Sequence, residues 1–278
     1  MRMLISTAIA AALVVSLPAC KQQPAGNEAA VAESASLEAL NGTWKVDLAS
    51  LKFEQKPNEF LLKDGTYSCS TCIPPLTASA DGQFHPVTDR PYYDSLQIKA
   101  VDDRTVEFHR KKGDKEVSST VLQVSEDGKT MTTKFVDATT PNSPPIEGTA
   151  TSTRAGPAPA GAHAISGQWM PDKFADYSQA ALDMVYKISG NTVTQSSQGQ
   201  GYTAELGGPA VAVQNDPGGT MVAIARDGAN SLRETYTRDG KEIGVTTIVP
   251  SPDGKSFAFT SVDPRDQSKV TWIANKKE

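Results

Sequence analysis

Two of the three cysteines in this 278-residue chain lie close together, in Tyr67-Ser68-Cys69-Ser70-Thr71-Cys72-Ile73-Pro74-Pro75-Leu76. A Cys-x-x-Cys pair can exchange disulfides, hold half of a metal site, or staple a loop. Exchange chemistry needs the first thiol at a helix N-terminus, where its pKa falls. Here strand-like Thr66-Tyr67 precedes the pair and Pro74-Pro75 follows it, so a helix cannot start in the normal register. Zinc fares no better. Cys69-x2-Cys72-x12-His85 opens like a zinc finger, but the next histidine should then come within five residues; it is His109, beyond Pro86 and Pro91. A haem attachment would need histidine where Ile73 stands. A local disulfide between Cys69 and Cys72 is therefore expected, with a thiol–disulfide enzyme as the alternative. So small a loop is stabilised by only about 2 kcal/mol.

A second chemically rich stretch follows, Phe84-His85-Pro86-Val87-Thr88-Asp89-Arg90-Pro91-Tyr92-Tyr93-Asp94. Proline stiffens it, and tyrosines in loops commonly serve recognition. Phe84, His85, Asp89, Arg90, Tyr92 and Tyr93 are the candidate recognition residues; the competing reading is an ordered connection whose rings cover a barrel end. His85 beside Asp89 or Asp94 could suggest acid–base work, but no nucleophile motif such as Gly-x-Ser-x-Gly accompanies it. The run His109-Arg110-Lys111-Lys112 reads as a solvated hairpin. Gly128-Lys129-Thr130 and Gly254-Lys255-Ser256 lack the upstream glycines of a phosphate loop and read as turn exits. No catalytic, cofactor-binding or metal-ligating set is assigned.

The formal net charge is -5, which argues against a nucleic-acid partner. The N-terminus is distinctive. Met1-Arg2-Met3 leads into an apolar run over residues 4–17, too short to span a bilayer and suited to a signal-peptide core. The following Leu17-Pro18-Ala19-Cys20 resembles the lipobox of bacterial lipoproteins, with Pro18 departing from the usual small residue. The resemblance implies removal of a signal peptide (residues 1–19) and a lipid on Cys20, more than one acyl chain being needed for stable anchoring. Lys21, with no aspartate there, favours the outer membrane by the same analogy, facing the periplasm. An even cysteine pair then remains in a compartment where disulfides persist. Residues 20–39 carry the lipidated cysteine and a polar tether that would span roughly 25 Å as a coil, with a short helix over 28–40 as an option.

The elements that must position these groups repeat. Leu40-Asn41-Gly42-Thr43-Trp44-Lys45-Val46-Asp47 returns as Ile165-Ser166-Gly167-Gln168-Trp169-Met170-Pro171-Asp172. Lys115-Glu116-Val117 matches Lys241-Glu242-Ile243, Asp127-Gly128-Lys129 matches Asp253-Gly254-Lys255, and Val136-Asp137 matches Val262-Asp263. Order and spacing hold, as tandem domains require. Asp-Gly pairs at 64–65, 81–82, 127–128, 227–228, 239–240 and 253–254 punctuate the chain as hairpin turns do. Between them run short alternating segments, among them 95–101, 105–109, 116–124, 129–136, 146–154 and 270–274, predicted as strands. The fold class expected is all-β: two tandem antiparallel meander barrels related by internal duplication, at 40–154 and 165–278, joined by an Ala/Gly/Pro linker at 155–164. The second copy has no cysteine; Thr194 stands near the place of Cys69.

Gly42-Thr43-Trp44-Lys45, Pro86-Val87-Thr88, Gly113-Asp114-Lys115 and Asp127-Gly128-Lys129-Thr130 resemble motifs of poorly characterised bacterial exported lipoproteins; the second copy lacks the Pro-Val-Thr loop. The opening also resembles the Gly-x-Trp of lipocalins, where a late Arg or Lys often packs on the Trp face. Arg154 and Lys276 stand at suitable chain ends. The resemblance implies lipocalin-like barrels and no particular activity. Trp44 and Trp169 are expected in the core near a closed barrel end. An eight-stranded barrel is just wide enough to be filled by side chains or to hold one small ligand. The expected function is that of a lipid-anchored envelope protein without catalytic activity, with no cofactor, binding a small or apolar ligand or serving a structural role. The alternative is an interaction module, an inhibitor of a lytic enzyme or an assembly partner, engaging an envelope protein through 84–94.

Overall fold

The computed structural model describes residues 37–277 apart from 229. The expected signal peptide, the lipidation candidate Cys20 and nearly all of the expected tether lie outside the described residues. Among the described residues there are twenty strands and two single-turn 3-10 helices, at Leu37–Leu40 and Gln179–Leu182. The first half supplies β1 (Gly42–Glu54), β2 (Asn58–Lys63), β3 (Thr66–Cys69), β4 (Leu76–Ser79), β5 (Asp81–Pro86), β6 (Ser95–Asp102), β7 (Thr105–Lys112), β8 (Lys115–Val124), β9 (Thr130–Asp137) and β10 (Ile146–Arg154). The second supplies β11 (Gly167–Ala175), β12 (Asp183–Ser189), β13 (Thr192–Ser197), β14 (Gln200–Glu205), β15 (Val211–Ala212), β16 (Met221–Arg226), β17 (Leu232–Arg238), β18 (Lys241–Pro250), β19 (Ser256–Val262) and β20 (Lys269–Lys276). Each strand of the first half has its counterpart ten strands on, as duplication requires.

The strands form two ten-stranded antiparallel sheets, each curled into a nearly closed barrel. Neither sheet corresponds to one sequence repeat. One contains β2 to β10 and then β11, which lies between β10 and β2. The other contains β12 to β20 and takes in β1, which lies between β12 and β20. The two Gly-x-Trp strands are exchanged. The contiguous barrel is built from residues 58–175, and the composite barrel from β1 plus residues 179–276. The 155–164 segment is thus the β10–β11 connection inside the contiguous barrel: His163 donates its backbone N–H to Leu62, and Ala155 to Gln168.

Each barrel has one apolar core. Leu40, Trp44, Phe257, Ile248, Leu232 and Val193 fill the closed part of the composite barrel. Leu96, Ile98, Val106, Phe108, Ile165 and Trp169 do so in the contiguous one. Both tryptophans are 0% exposed. Their indole N–H groups donate to matching carbonyls, Trp44 to Leu40 and Trp169 to Ile165, both at 2.8 Å. A cation covers each ring, from the strand that the exchange brings alongside. Arg154 lies 4.1 Å from the Trp169 ring centre, and Lys276 5.2 Å from that of Trp44. Arg154 also donates to the carbonyls of Gly128, Ser166 and Ala164 and so sews the barrel end together. The glycine two residues before each Trp is dictated by this packing. Gly42 and Gly167 have φ of 136° and 115°, and a Cβ on Gly167 would lie 2.8 Å from Arg154.

Five of the six Asp-Gly pairs lie between strands with glycine at positive φ. The turns at 125–130 and 251–256 are copies: Ser125 and Ser251 each donate to the aspartate two residues on. Asp81-Gly82 differs from the expected hairpin turn. It sits inside β5 at a register break between Asp81 and Phe84, where an extra residue bulges the strand.

Candidate functional site

The predicted disulfide is present: Cys69 and Cys72 are bonded, with 5.4 Å between their Cα atoms. Cys69 ends β3 and is buried in the core of the contiguous barrel. Pairing places Gln195, rather than Thr194, at its counterpart. Gln195 lies opposite Tyr186 and Tyr202, as Cys69 lies opposite Phe60 and Leu76.

The 84–94 loop is held at the same end of that barrel, and each of its candidate residues has a partner within the chain. Arg90 donates to the carbonyls of Pro74 and Pro75 at 2.7 and 2.9 Å, tying the loop to the disulfide turn. Phe84 lies 4.0 Å beneath the Lys111 ammonium, and Tyr93 packs on the core with Arg110 5.6 Å away. His85 bonds Asp81 at 2.9 Å and is separate from Asp89, whose φ of 59° marks the loop's tight turn. Tyr92 reaches the other barrel: Arg238 donates to its hydroxyl at 2.6 Å, and Gly218 lies against its ring. The basic run is absorbed too, with His109 on Glu116 and Lys112 on Asp94.

What the sequence reading missed lies in the composite barrel. A cavity of about 380 Å³ occupies the end away from Trp44. Its walls are the inward faces of β12, β13, β17, β18, β19 and β20, with Val46, Leu48 and Leu51 from the exchanged β1. Its mouth meets the contiguous barrel, which contributes Phe135, Asp137, Ile146 and Phe174. At three of the matching places the contiguous barrel is apolar: Phe60, Leu76 and Phe108 stand where the composite barrel has Tyr186, Tyr202 and Glu234, while Arg110 stands at the place of Tyr236.

Glu234 is the centre of this site. It points inward between Leu232 and Tyr236 on β17, because alternate strand residues share a face. It is 3% exposed. Tyr186 donates to Oε1 at 3.0 Å, Tyr202 donates a shorter bond to the same oxygen, and Tyr236 donates to Oε2 at 2.6 Å. Burial pushes the carboxyl above its ordinary value, while the three hydroxyls pull it back down and lose. The same burial, reinforced by the neighbouring carboxylate, raises all three phenols well above their usual range, so they are donors at any working pH. Beside this cluster the Phe259 and Trp272 rings stack 5.0 Å apart and 7° from parallel.

No protein-family model, curated protein or solved structure matches this chain. The function has to be argued from the site. The arrangement is a largely apolar, partly open cavity with one buried, hydrogen-bonded carboxyl in its wall, a combination common in small-molecule sites. Among the described residues, no group of three or more His, Cys, Asp or Glu is placed to hold a metal ion.

Proposed function

We propose that this protein is an exported, lipid-anchored envelope protein, a member of the lipocalin-like group it resembles, that binds a small apolar molecule inside the composite barrel. The observation that carries the reading is the cavity itself. At about 380 Å³ it falls within the roughly 300–1,000 Å³ of small-molecule sites. Its walls are mostly aliphatic and aromatic, and Gln195, Gln198, Gln200, Thr246 and Ser261 add polar groups that can set orientation. A merely structural barrel would gain from filling this space with side chains, as Phe108, Phe60 and Leu76 do in the other copy. The lipid on Cys20 would hold the site near the membrane, where apolar molecules are handed over. We read the role as binding: Glu234, the buried acid of this cavity, is engaged by three tyrosine hydroxyls.

The test is a titration with Nile red, a neutral dye that brightens in apolar surroundings. The purified protein should enhance its emission with saturable, one-site binding. Ser261→Trp places an indole in the chamber and should abolish the enhancement while the far-UV spectrum stays that of the wild type. Enhancement that survives this substitution would place the dye elsewhere and remove the basis of the reading.

A further inference from the structure

The formal charges around the cavity all have one sign. Asp137 and Glu234 are the charged residues among its lining, and no Lys, Arg or His accompanies them. Asp137 stands at the mouth, on β9 of the contiguous barrel, and Glu234 stands deeper, on β17. Such a chamber disfavours anionic ligands, because like charges in a desolvated space repel strongly.

Glu234 is moreover an incomplete arrangement. A carboxylate offers about four acceptor positions, and three hydroxyl groups take three of them. Among the described residues no cation lies within ion-pair distance of it. A buried carboxylate without a counter-charge is costly, and a cation supplied from outside would offset that cost. The walls suit the same guest. Tyr186, Tyr236, Phe259 and Trp272 line the cavity, and ring faces attract organic cations most strongly where water is excluded.

We propose that the ligand is an organic amine with an apolar body, its ammonium group seated at Glu234 among these rings and its body lying toward Leu182, Met184 and Phe174. This inference rests on the reading of the cavity as a ligand site.

The experiment is isothermal titration of the purified full chain at neutral pH with three probes of one length: n-octylamine, 1-octanol and octanoate. Octylamine should bind about tenfold or more tightly than octanol, the effect of a desolvated cation–π and charge contact, and octanoate should bind weakest. In Glu234→Gln the ratio of octylamine to octanol affinity should fall toward one. The wild-type ranking decides the matter even if that variant fails to fold. Octanol or octanoate binding as tightly as octylamine would overturn the amine and leave the apolar site standing. Failure of all three to bind would overturn the ligand site, and the amine with it.

Discussion

Glu234 would be an ordinary hairpin residue if it faced water. The strand reads Leu232-Arg233-Glu234-Thr235-Tyr236-Thr237, and strict alternation puts Glu234 on the face of Leu232 and Tyr236. That signal was present in the sequence, and so was Phe108 at the matching place in the first repeat. Tyr236 was legible by the same alternation, but Tyr186 and Tyr202 were not, because they lie 48 and 32 residues away and only barrel closure brings them in. By contrast, Trp44, Trp169, Arg154 and Lys276 were legible because a repeated motif marks them. The Glu234 cluster carries a pH signature. Its carboxyl titrates higher in the folded than in the unfolded chain. Its contribution to stability is therefore complete below the unfolded-state value and is lost as pH rises through the folded-state value. The groups facing it are the phenols of Tyr186 on β12, Tyr202 on β14 and Tyr236 on β17, all uncharged in that range. The unfolding free energy of wild type minus that of Glu234→Gln should fall across that window. A difference that is flat or rises with pH would mean that Glu234 is not desolvated in the native state.

At the scale of elements, the strands were largely legible and their partners were not. The predicted segments at 95–101, 105–109, 116–124 and 146–154 match β6, β7, β8 and β10 to within a few residues, because period-two alternation and Asp-Gly turns are local signals. Exchange of β1 and β11 is a choice between two near-identical Gly-x-Trp strands, and local pattern cannot make it. Between β1 and β2 only residues 55–57 intervene, with Pro57 holding Lys56 extended, and the chain runs on into the neighbouring sheet; between β11 and β12 the same crossing is made through residues 176–182, which hold no proline. One consequence is a redefinition of the autonomous unit. Residues 58–175 contain every strand of one barrel together with its disulfide, whereas 179–277 lack the strand that closes the other. Expressed alone, 58–175 should unfold in a single cooperative transition by circular dichroism. The 179–277 fragment should not, until a peptide spanning residues 37–54 is added. Cooperative folding of 179–277 by itself would contradict the exchanged arrangement.

At the scale of the molecule, two copies of one fold have diverged in their barrel interiors. The contiguous barrel has a core of Leu96, Ile98, Phe108 and Trp169, and it is stapled by Cys69–Cys72 and tied at Arg90. It also supplies the cover for its partner's mouth through Phe135, Ile146 and Phe174. The docking is close. A Cβ on Gly199 would lie 1.8 Å from Ser143, and one on Gly218 would lie 2.6 Å from the Tyr92 ring. The 84–94 loop, which the sequence singled out as a recognition surface, spends Tyr92 on this contact with Arg238. The cavity walls and the cover at its mouth thus come from different barrels. The most direct test of this account is native mass spectrometry of the purified full chain. The account predicts a non-covalent small-molecule adduct at one per chain and its loss from Ser261→Trp. Wild-type protein without an adduct, both as isolated and after incubation with n-octylamine or 1-octanol, would contradict it.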